Sequence, residues 1–447
     1  MDSQVEKSFL ERQFKLSQRE TNVRTEIMAG LTTFMTMSYI LIVNPSILSE
    51  AGMDKGGVFT ATIIASIIGI VLMAFLANLP FALAPGMGLN AFFAYTVVLG
   101  MGHDWRYALT AVFLEGIVFI LLSVFKVREA IFNAIPMGLK NAVSVGIGLF
   151  IALIGMTNAG IIIQGEGTVL QTGEILSANS AVFFFGLFLM AWLTVKNVRG
   201  ALLYGLLGGT VLALVLGVTH LPPVGGLFSL PPSMSEVAFK IQWKDMFSLE
   251  MFGIMFTFLF VDIFDTVGTI TGVATKANLL DEKGRLPKVG PALFADAVAT
   301  TLGALLGTST VTTFVESASG VADGGRTGLT ALSTGGFFFL SLFIFPIISI
   351  VPAAATAPAL VMVGLFMMSP ITKIDFMDYT ESIPAFMTIV MMPFAYSIAE
   401  GISYGMISFV LLKLLGNRRK DISPLMYVLA FVFIIRILWP MIQSLGL

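Results

Sequence analysis

The sequence contains no cysteine and only two histidines, His103 and His220. Disulfide bonds, thiolate metal sites and thiol nucleophiles are therefore excluded. Charged residues are also scarce, because they make up 12% of the chain, whereas soluble domains usually contain about 25%. The formal net charge is −2, so the sequence lacks the basic character that nucleic-acid binding requires.

What the chain has in excess is apolar sequence. Hydrophobic residues make up 56% of it, and many apolar runs approach the ~20 residues that a helix needs to cross a bilayer. The alternating segments of roughly ten residues that build a transmembrane β-barrel are not found. The first 25 residues are polar, so no cleavable signal peptide is expected. The sequence therefore predicts an all-α polytopic membrane protein.

Fourteen membrane spans are predicted, with bounds good to a few residues. They are 26–47, 58–79, 83–101, 106–125, 138–163, 181–195, 200–218, 250–275, 290–306, 308–324, 327–350, 353–369, 382–397 and 400–415. A last apolar stretch, 424–445, contains Arg436 and fits a helix along the membrane interface better than the alternative, a fifteenth span. Cytoplasmic loops collect Lys and Arg, and loop residues such as Arg24, Lys196 and Arg418 predict a cytoplasmic N-terminus.

Three pairs of segments recur in the same order in the two halves of the chain. Residues 76–92 fall opposite 305–321, residues 138–156 resemble 355–368, and residues 198–217 resemble 399–416. Each half then holds seven predicted spans, and because seven is odd, the second half must run the opposite way through the membrane. Such inverted repeats are typical of transporters, whose substrate lies near the midplane at interrupted helices.

The third and tenth spans carry helix-breaking sequence at matching places. The third contains Pro80, Pro85, Gly86 and Gly88, and the tenth opens with the β-branched run 310–313. Each is predicted to form a short extended segment followed by a half-helix. Free backbone at membrane depth needs protein partners or a cavity, so the two half-helices are expected to point their N–H groups into one cavity. Two kinked helices without a ligand are the alternative.

Five acids lie well inside the predicted spans. They are Glu115, Asp262, Asp265, Asp296 and Glu316. An ionisable group at membrane depth costs about 2.5–3.5 kcal/mol, so each is a functional hypothesis. Asp262 and Asp265, three residues apart, share one helix face.

No basic residue lies deep in the spans to neutralise these acids, so at least one carboxyl is expected to be protonated in some state. Each acid also has a structural alternative. Glu316 could simply start a helix, Asp262 could orient Asp265 through a hydrogen bond, and Glu115 and Asp296 could be internal packing pairs.

Aromatic rings accompany these polar residues. Phe264 and Phe314 flank the acids, and Phe92 and Phe93 follow Asn90. Beside a polar cavity a ring could stack on a flat heterocycle, whereas elsewhere such residues face lipid or fill the core.

Four stretches of this chain resemble the signatures of the AzgA-like purine permeases, which include bacterial guanine/hypoxanthine and adenine permeases. They are AGLTTFMTMSYILIVNPSIL, NLPFALAPGMGLNAFFAYTVVLGM, TFLFVDIFDTVGT and GTSTVTTFVESASGVADGGRTGL. The resemblance covers nearly the whole chain. The family belongs with the nucleobase–ascorbate transporters and is similar in fold to the uracil permease.

The resemblance implies fourteen spans in two inverted repeats, divided into a core domain and a gate domain. The implied parts are a cytoplasmic N-terminus (1–25), core residues 26–127 and 250–350, gate residues 128–218 and 351–416, an extracellular linker (219–249) and a C-terminal interfacial helix (417–447). A homodimer built through the gate domains, in the cell membrane, is also implied.

The resemblance further implies proton-coupled purine uptake without a cofactor. Glu316 and Asp265 match the acids that bind the base, Asp265 with Asp262 is expected to couple the proton, and Asn90 lies in a functional motif. The remaining predicted substrate-binding residues are Gly88, Phe264, Phe314 and Ser317. The chain departs from the uracil permease at Thr269, where that protein carries a histidine, so a histidine proton relay is not implied.

The chemistry of the acids agrees with this expectation. An ionised Glu316 can accept hydrogen bonds from N1–H and the 2-amino group of guanine, or from N1–H of hypoxanthine, with half-helix N–H groups serving O6. Adenine has no N1–H in its usual tautomer, so 6-oxopurines are expected to be the preferred substrates and adenine the second choice.

Several other functions stay open at this point. They are a sodium-coupled purine carrier and an anion transporter of the sulfate or bicarbonate type, although an anion site should not contain Glu316. No nucleophile, base or metal set for an enzyme is found, and an inverted repeat favours alternating access over a channel.

Overall fold

The computed structural model describes residues 9–124, 135–165, 167–221, 226, 228–277, 279 and 286–444, so the predicted domain boundary at 127/128 lies outside the described residues. The elements of the first half are α1 (Phe9–Phe14), α2 (Val23–Met37), α3 (Ile40–Glu50), α4 (Lys55–Leu72), β1 (Leu83–Pro85), α5 (Met87–Ala91), α6 (Trp105–Val124), α7 (Met137–Asn158), β2 (Ile162–Ile163), β3 (Gln171–Thr172), α8 (Ala178–Val195) and α9 (Ala201–Val215). Helices α4 and α5 continue as π-helical turns, Met73–Ala77 and Phe92–Gly100.

The second half repeats this order. Its elements are α10 (Leu249–Lys276), α11 (Val289–Leu306), β4 (Val311–Thr313), α12 (Ser317–Ala322), α13 (Gly328–Ser341), α14 (Phe345–Ser349), α15 (Ala353–Met367), α16 (Tyr379–Phe394), α17 (Ile398–Leu415) and α18 (Pro424–Ser444).

The predicted fold class is confirmed. Each of the fourteen predicted spans corresponds to one helix, to two successive helices, or to a strand followed by a helix. Ten helices in the described part of the chain are long and apolar enough to cross a membrane. The first span is a pair of helices, α2 and α3, which are separated at Ser38 and Tyr39.

The two halves form an inverted repeat that meets at two strands. β1 and β4 are antiparallel, and Leu83 pairs with Thr313 while Ala84 pairs with Thr312. In the repeat of 76–92 and 305–321, Leu83 corresponds to Thr312 and Ala84 to Thr313. Leu83 therefore pairs with the equivalent of Ala84, and Ala84 pairs with the equivalent of Leu83. Such reciprocal contacts are what a two-fold relation between the halves produces.

A second reciprocal contact joins α7 and α15. Gly148 and Gly364 each begin a Gly-Leu-Phe sequence in matching segments of the repeat. A Cβ atom added to either glycine would overlap the carbonyl oxygen of the other. Only glycine permits this approach of two backbones, so the two halves also meet closely here.

Helix packing falls into two sets of neighbours. In one set, α7 packs against α15 and α16, α16 against α17, and α8 against α9. In the other set, α6 packs against α11, and α13 packs against α2 and α4. The strands β1 and β4 lie among the second set, where β1 contacts α4 and β4 contacts α11.

The last helix, α18, packs against α17 and reaches α10. The Phe433 ring lies 5.8 Å from the Phe256 ring and 6.3 Å from the Phe260 ring, measured between centroids. A helix confined to the cytoplasmic interface, as predicted for 417–447, should contact only the ends of its neighbours. Phe256 and Phe260 lie inside α10, away from its Lys276 end.

Glu26, in α2, has a fully buried carboxylate that the sequence analysis did not single out. It accepts backbone hydrogen bonds from Arg326 (2.9 Å), Thr327 (3.2 Å) and Thr330 (3.1 Å). The hydroxyls of Thr327 and Thr330 also donate to it, each at 2.7 Å. These N–H groups stand at the beginning of α13, where a helix leaves them without internal partners. Glu26 therefore caps α13 and fixes it to α2.

The substitution Glu26→Gln is expected to lower the thermal unfolding midpoint of the detergent-solubilised protein. It replaces one acceptor oxygen by an amino group that faces N–H and O–H donors, and lost hydrogen bonds to a charged group cost roughly 1.5–3 kcal/mol. The matched control is Glu20→Gln, at an exposed position, which should leave the midpoint unchanged. Equal midpoints for the two variants would contradict the capping role.

Candidate functional site

The third and tenth spans are interrupted where the sequence predicts. Their strands, β1 and β4, pair with each other at what we call the strand crossing. Gly86 N–H donates to the Thr310 carbonyl (3.0 Å), and Phe314 N–H donates to the Ala82 carbonyl (2.9 Å). β1 leads into α5 and β4 leads towards α12. The second half-helix is shorter than expected, because α12 ends at Ala322 and is followed by Gly324 with a positive φ of 99°.

Side chains complete the hydrogen bonding of the crossing. The Ser317 hydroxyl accepts a hydrogen bond from Ala82 N–H at 3.0 Å, and the Thr300 hydroxyl donates to the Val311 carbonyl at 2.8 Å. Ser317 and Thr300 are both fully buried. Ser317, which is a predicted substrate-binding residue, thus supports the strand backbone in this structure.

Glu316 lies immediately before α12 and is partly exposed. Its Oε1 atom accepts a hydrogen bond from the Tyr39 hydroxyl at 2.8 Å. Its side chain makes no capping hydrogen bond to α12, so a simple helix-start role does not explain it. The carboxyl is directed towards the break between α2 and α3.

Asp265, in α10, is also partly exposed and lies beside the start of α5. A Cβ atom added to Gly86 would lie 3.2 Å from Asp265 Oδ2. Among the residues that the structure describes, none donates a hydrogen bond to the Asp265 carboxyl. α10, which carries Asp265, packs against α12, which Glu316 immediately precedes, and Glu316 contacts Tyr39, so the two acids and this tyrosine lie in one region.

The other three intramembrane acids are fully buried behind the strands. Thr266 donates to Asp262 (2.8 Å), lies 3.2 Å from Asp296 Oδ2, and hydrogen-bonds to Thr312 (2.6 Å). The Thr310 hydroxyl donates to Glu115 at 2.9 Å. Thr312, in β4, and Thr310, directly before it, thus link these acids to the strand crossing by hydrogen bonds. Asp262, predicted to assist proton coupling, faces this internal network, whereas Asp265 does not.

Asn90 and Gly88 contact protein neighbours. The Ser309 hydroxyl donates to Asn90 Oδ1, which links α5 to the segment before β4. Asn90 is fully buried. At Gly88, a Cβ atom would lie 2.8 Å from Ile147 of α7, so the absence of a side chain allows α5 to pack closely against α7.

The phenylalanines that flank the acids are mostly buried. Phe264 is 9% exposed and Phe314 is 5% exposed. The Phe264 ring meets Phe260 edge-on at 4.5 Å, and Phe92 meets Phe258 in the same way at 4.7 Å. Neither Phe314 nor Phe93 has an aromatic neighbour within the described ranges, and of these two rings Phe314 is the one that precedes Glu316 closely in the sequence.

Tyr39 is the main site residue that the sequence analysis missed. It lies in the quoted motif AGLTTFMTMSYILIVNPSIL, where a lone tyrosine among threonines and methionines was a signal available to it. Thr266, Thr310 and Thr312 were also not predicted as hydrogen-bond partners of the acids. In the described part of the chain, no group of three or more His, Cys, Asp or Glu residues is arranged to hold a metal ion.

Comparison with known proteins agrees with this architecture. A sequence model of the permease family matches residues 24–404. The adenine permease AdeP of Escherichia coli (strain K12) is 43% identical over 430 residues, which are 96% of each chain. The guanine/hypoxanthine permease PbuG of Bacillus subtilis (strain 168) is 43% identical over 433 residues, which are 94% of this chain and 98% of that one.

The fold is shared with a solved structure. The transmembrane domain of a cyanobacterium bicarbonate transporter, BicA, superimposes with a TM-score of 0.65 at 14% identity, and the match covers 85% of this chain and 97% of that one. This likeness concerns fold alone. The family match and the two relatives extend over nearly the whole sequence, and on that evidence the chain belongs to the permease family.

Proposed function

We propose that this chain imports purine nucleobases by proton symport with alternating access. The observation that carries the proposal is the pair Glu316 and Asp265. Both remain partly exposed beside the strand crossing, while Glu115, Asp262 and Asp296 are fully buried. The names of the relatives, adenine permease and guanine/hypoxanthine permease, support a purine as the substrate.

Glu316 is the proposed acceptor for the N–H groups of the base. A carboxylate offers about four acceptor positions on two oxygens, and Tyr39 occupies one position on Oε1. The remaining positions suit N1–H and the 2-amino group of guanine, or N1–H of hypoxanthine. We therefore propose 6-oxopurines as preferred substrates and adenine as the second choice. Phe314, beside Glu316, is the proposed stacking ring.

Asp265 is the proposed site of proton coupling. Its carboxyl lacks a hydrogen-bond donor within the described residues, and the residue as a whole is partly exposed, so the carboxyl has free capacity to take up a proton. Asp262 and Glu316 act on it electrostatically. A neutral purine gains nothing from the membrane potential, whereas each co-transported proton gains about 2.3 kcal/mol per 100 mV. Sodium is the second candidate for the coupling ion, because carboxylates and hydroxyls also suit Na⁺.

An anion transporter of the same fold is the second candidate function. The shared fold of the bicarbonate transporter BicA favours it. Glu316 argues against it, because a negative carboxylate at the start of α12 would repel an anionic substrate.

The remaining proposals concern the arrangement of the chain in the cell membrane. The two sets of packed helices support a core domain of 26–127 and 250–350 and a gate domain of 128–218 and 351–416. We propose a cytoplasmic N-terminus, an extracellular linker at 219–249 and a homodimer built through the gate domains. The contact of Gly88 with Ile147 then lies at the boundary along which core and gate move.

The substitution Glu316→Gln is expected to raise the KM for hypoxanthine uptake about tenfold to hundredfold, since hydrogen bonds to a charged acceptor contribute roughly 1.5–3 kcal/mol. Initial uptake rates of labelled hypoxanthine into proteoliposomes measure this change. The control is Glu250→Gln, whose carboxyl pairs with His103 outside the site. Unchanged KM in Glu316→Gln would remove Glu316 from the site.

The same assay on the wild-type chain tests the substrate class. Excess unlabelled guanine should compete most strongly, adenine less, and uracil least. Uptake of labelled sulfate or bicarbonate, without uptake of labelled hypoxanthine, would establish the anion transporter instead.

The substitution Asp265→Asn is expected to abolish dependence on the pH gradient while purine exchange continues. One coupled proton and one pH unit supply about 1.4 kcal/mol, or tenfold accumulation, and asparagine cannot carry that proton. Accumulation is measured with and without a pH gradient, and with choline replacing sodium. Asp104→Asn, at an exposed ion pair with Arg106, should behave as wild type. If accumulation by Asp265→Asn still follows the pH gradient, this residue is not the coupling site.

A further inference from the structure

Tyr39 is a buried phenol placed against the proposed purine acceptor. It stands in the break between α2 and α3 and is 2% exposed. Its hydroxyl donates to Glu316 Oε1 at 2.8 Å. A buried phenolic hydroxyl needs a hydrogen-bond partner, and Glu316 supplies it.

From this geometry we propose that Tyr39 is a positioning residue for substrate recognition, which fixes the Glu316 carboxylate so that its remaining acceptor sites face the N–H edge of the purine. The inference rests on the proposed function and deepens it. The hydrogen bond orients one oxygen of Glu316 and leaves Oε2 for the substrate. It also stabilises the ionised acceptor, because hydrogen bonding to a charged form favours that form.

A purely structural role for the Tyr39 hydroxyl is disfavoured by the other contacts between α2 and α12. The Thr32 hydroxyl donates to Asp323, at the end of α12, at 2.6 Å. Gly320 lies so close to α2 that an added Cβ atom would be 2.5 Å from the Ala29 carbonyl oxygen. These contacts hold α12 to α2 without Tyr39, so removal of one hydroxyl should leave the fold intact.

The test is Tyr39→Phe in the full-length chain, alone and combined with Glu316→Gln. The single variant should raise the KM for hypoxanthine roughly tenfold or more, with a maximal rate per inserted molecule close to wild type. Because Tyr39 acts through Glu316, it should cause no further change in the Glu316→Gln background, which is the non-additivity expected of coupled residues. Tyr107→Phe, whose hydroxyl bonds to Ser248 away from the site, is the matched control.

The outcomes separate this inference from the proposed function. Wild-type uptake of purine with an unchanged KM in Tyr39→Phe would overturn the inference alone. If Tyr39→Phe raised the KM by the same factor in the wild-type and Glu316→Gln backgrounds, the inference would also be overturned, because Tyr39 would then act independently of Glu316. Failure of the wild-type chain to take up any purine would overturn the proposed function and, with it, the inference.

A second inference concerns α18 and does not depend on the substrate. The beginnings of α10 and α17 lie on one side of the membrane. Tyr396, just before α17, contacts Tyr95. At the beginning of α10, Ser248 contacts Tyr107 and Glu250 contacts His103, whose backbone N–H donates to the carbonyl of Val97, two residues after Tyr95. α17 therefore ends, and α18 begins, on the side where α10 ends.

The contact of Phe433 then fixes the depth of α18. At a rise of about 1.5 Å per residue, Phe256 lies roughly 10 Å from the beginning of α10 and roughly 30 Å from its end. Only a helix that enters the bilayer can carry Phe433 to this level. The outward face of α18 is apolar, with Val428, Phe431 and Leu438 all exposed, whereas an interfacial helix shows a polar face.

The geometry points to α18 as a fifteenth membrane span, which places Ser444 on the side opposite Lys420. The absence of native cysteine allows a direct test with Lys420→Cys and Ser444→Cys, each as a single cysteine. A membrane-impermeant maleimide should label one position in intact cells and the other in inverted vesicles. Labelling of both positions from the same side would overturn the inference and establish the interfacial helix.

Discussion

Backbone groups that leave a helix inside a bilayer must find hydrogen bonds within the protein, because hydrocarbon offers none. β1 and β4 satisfy this constraint by pairing with each other at the point where the third and tenth spans are interrupted. The hydroxyls of Ser317 and Thr300 form hydrogen bonds with the Ala82 N–H and the Val311 carbonyl, respectively. Every other feature of the site follows from this crossing, since it sets where α5 and α12 begin.

The crossing also divides the intramembrane acids into two classes. On one side, Glu115, Asp262 and Asp296 are enclosed by protein and joined to threonine hydroxyls. On the other side, Glu316 and Asp265 remain partly exposed. Hydrogen bonds of Thr310 and Thr266 link the first class to the segment that carries β4. The second class retains the acceptor capacity that a ligand or proton can use.

Much of this architecture could be predicted from the sequence because it depends on local pattern. The length of the apolar runs predicted the spans. Pro85 and the β-branched run 310–313 predicted the interruptions, and the spacing of Asp262 and Asp265 predicted that both lie on one helix face. The resemblance to the purine permeases added predicted roles for the acids, which stay predictions. These signals lie within single segments and need no knowledge of which helices are neighbours.

The contacts that were missed join residues far apart in the chain. Tyr39 and Glu316 are separated by 277 positions, and Glu26 bonds residues 300 or more positions away. Nothing in one sequence identifies such pairs, because the hydrogen bonds depend on how α2 packs against α12 and α13. Asn90 and Ser317 likewise have protein partners that their motif positions did not indicate, and their substrate-binding roles stay predictions.

The approach of Gly148 to Gly364 has a mechanical consequence. With each backbone against the carbonyl oxygen of the other, neither α7 nor α15 can turn about its own axis without driving a larger side chain into its neighbour. Close-packed interiors transmit such displacements and do not absorb them. These two helices therefore form a stiff unit where the two halves of the chain meet, so any relative motion of the halves must take place at other helix contacts.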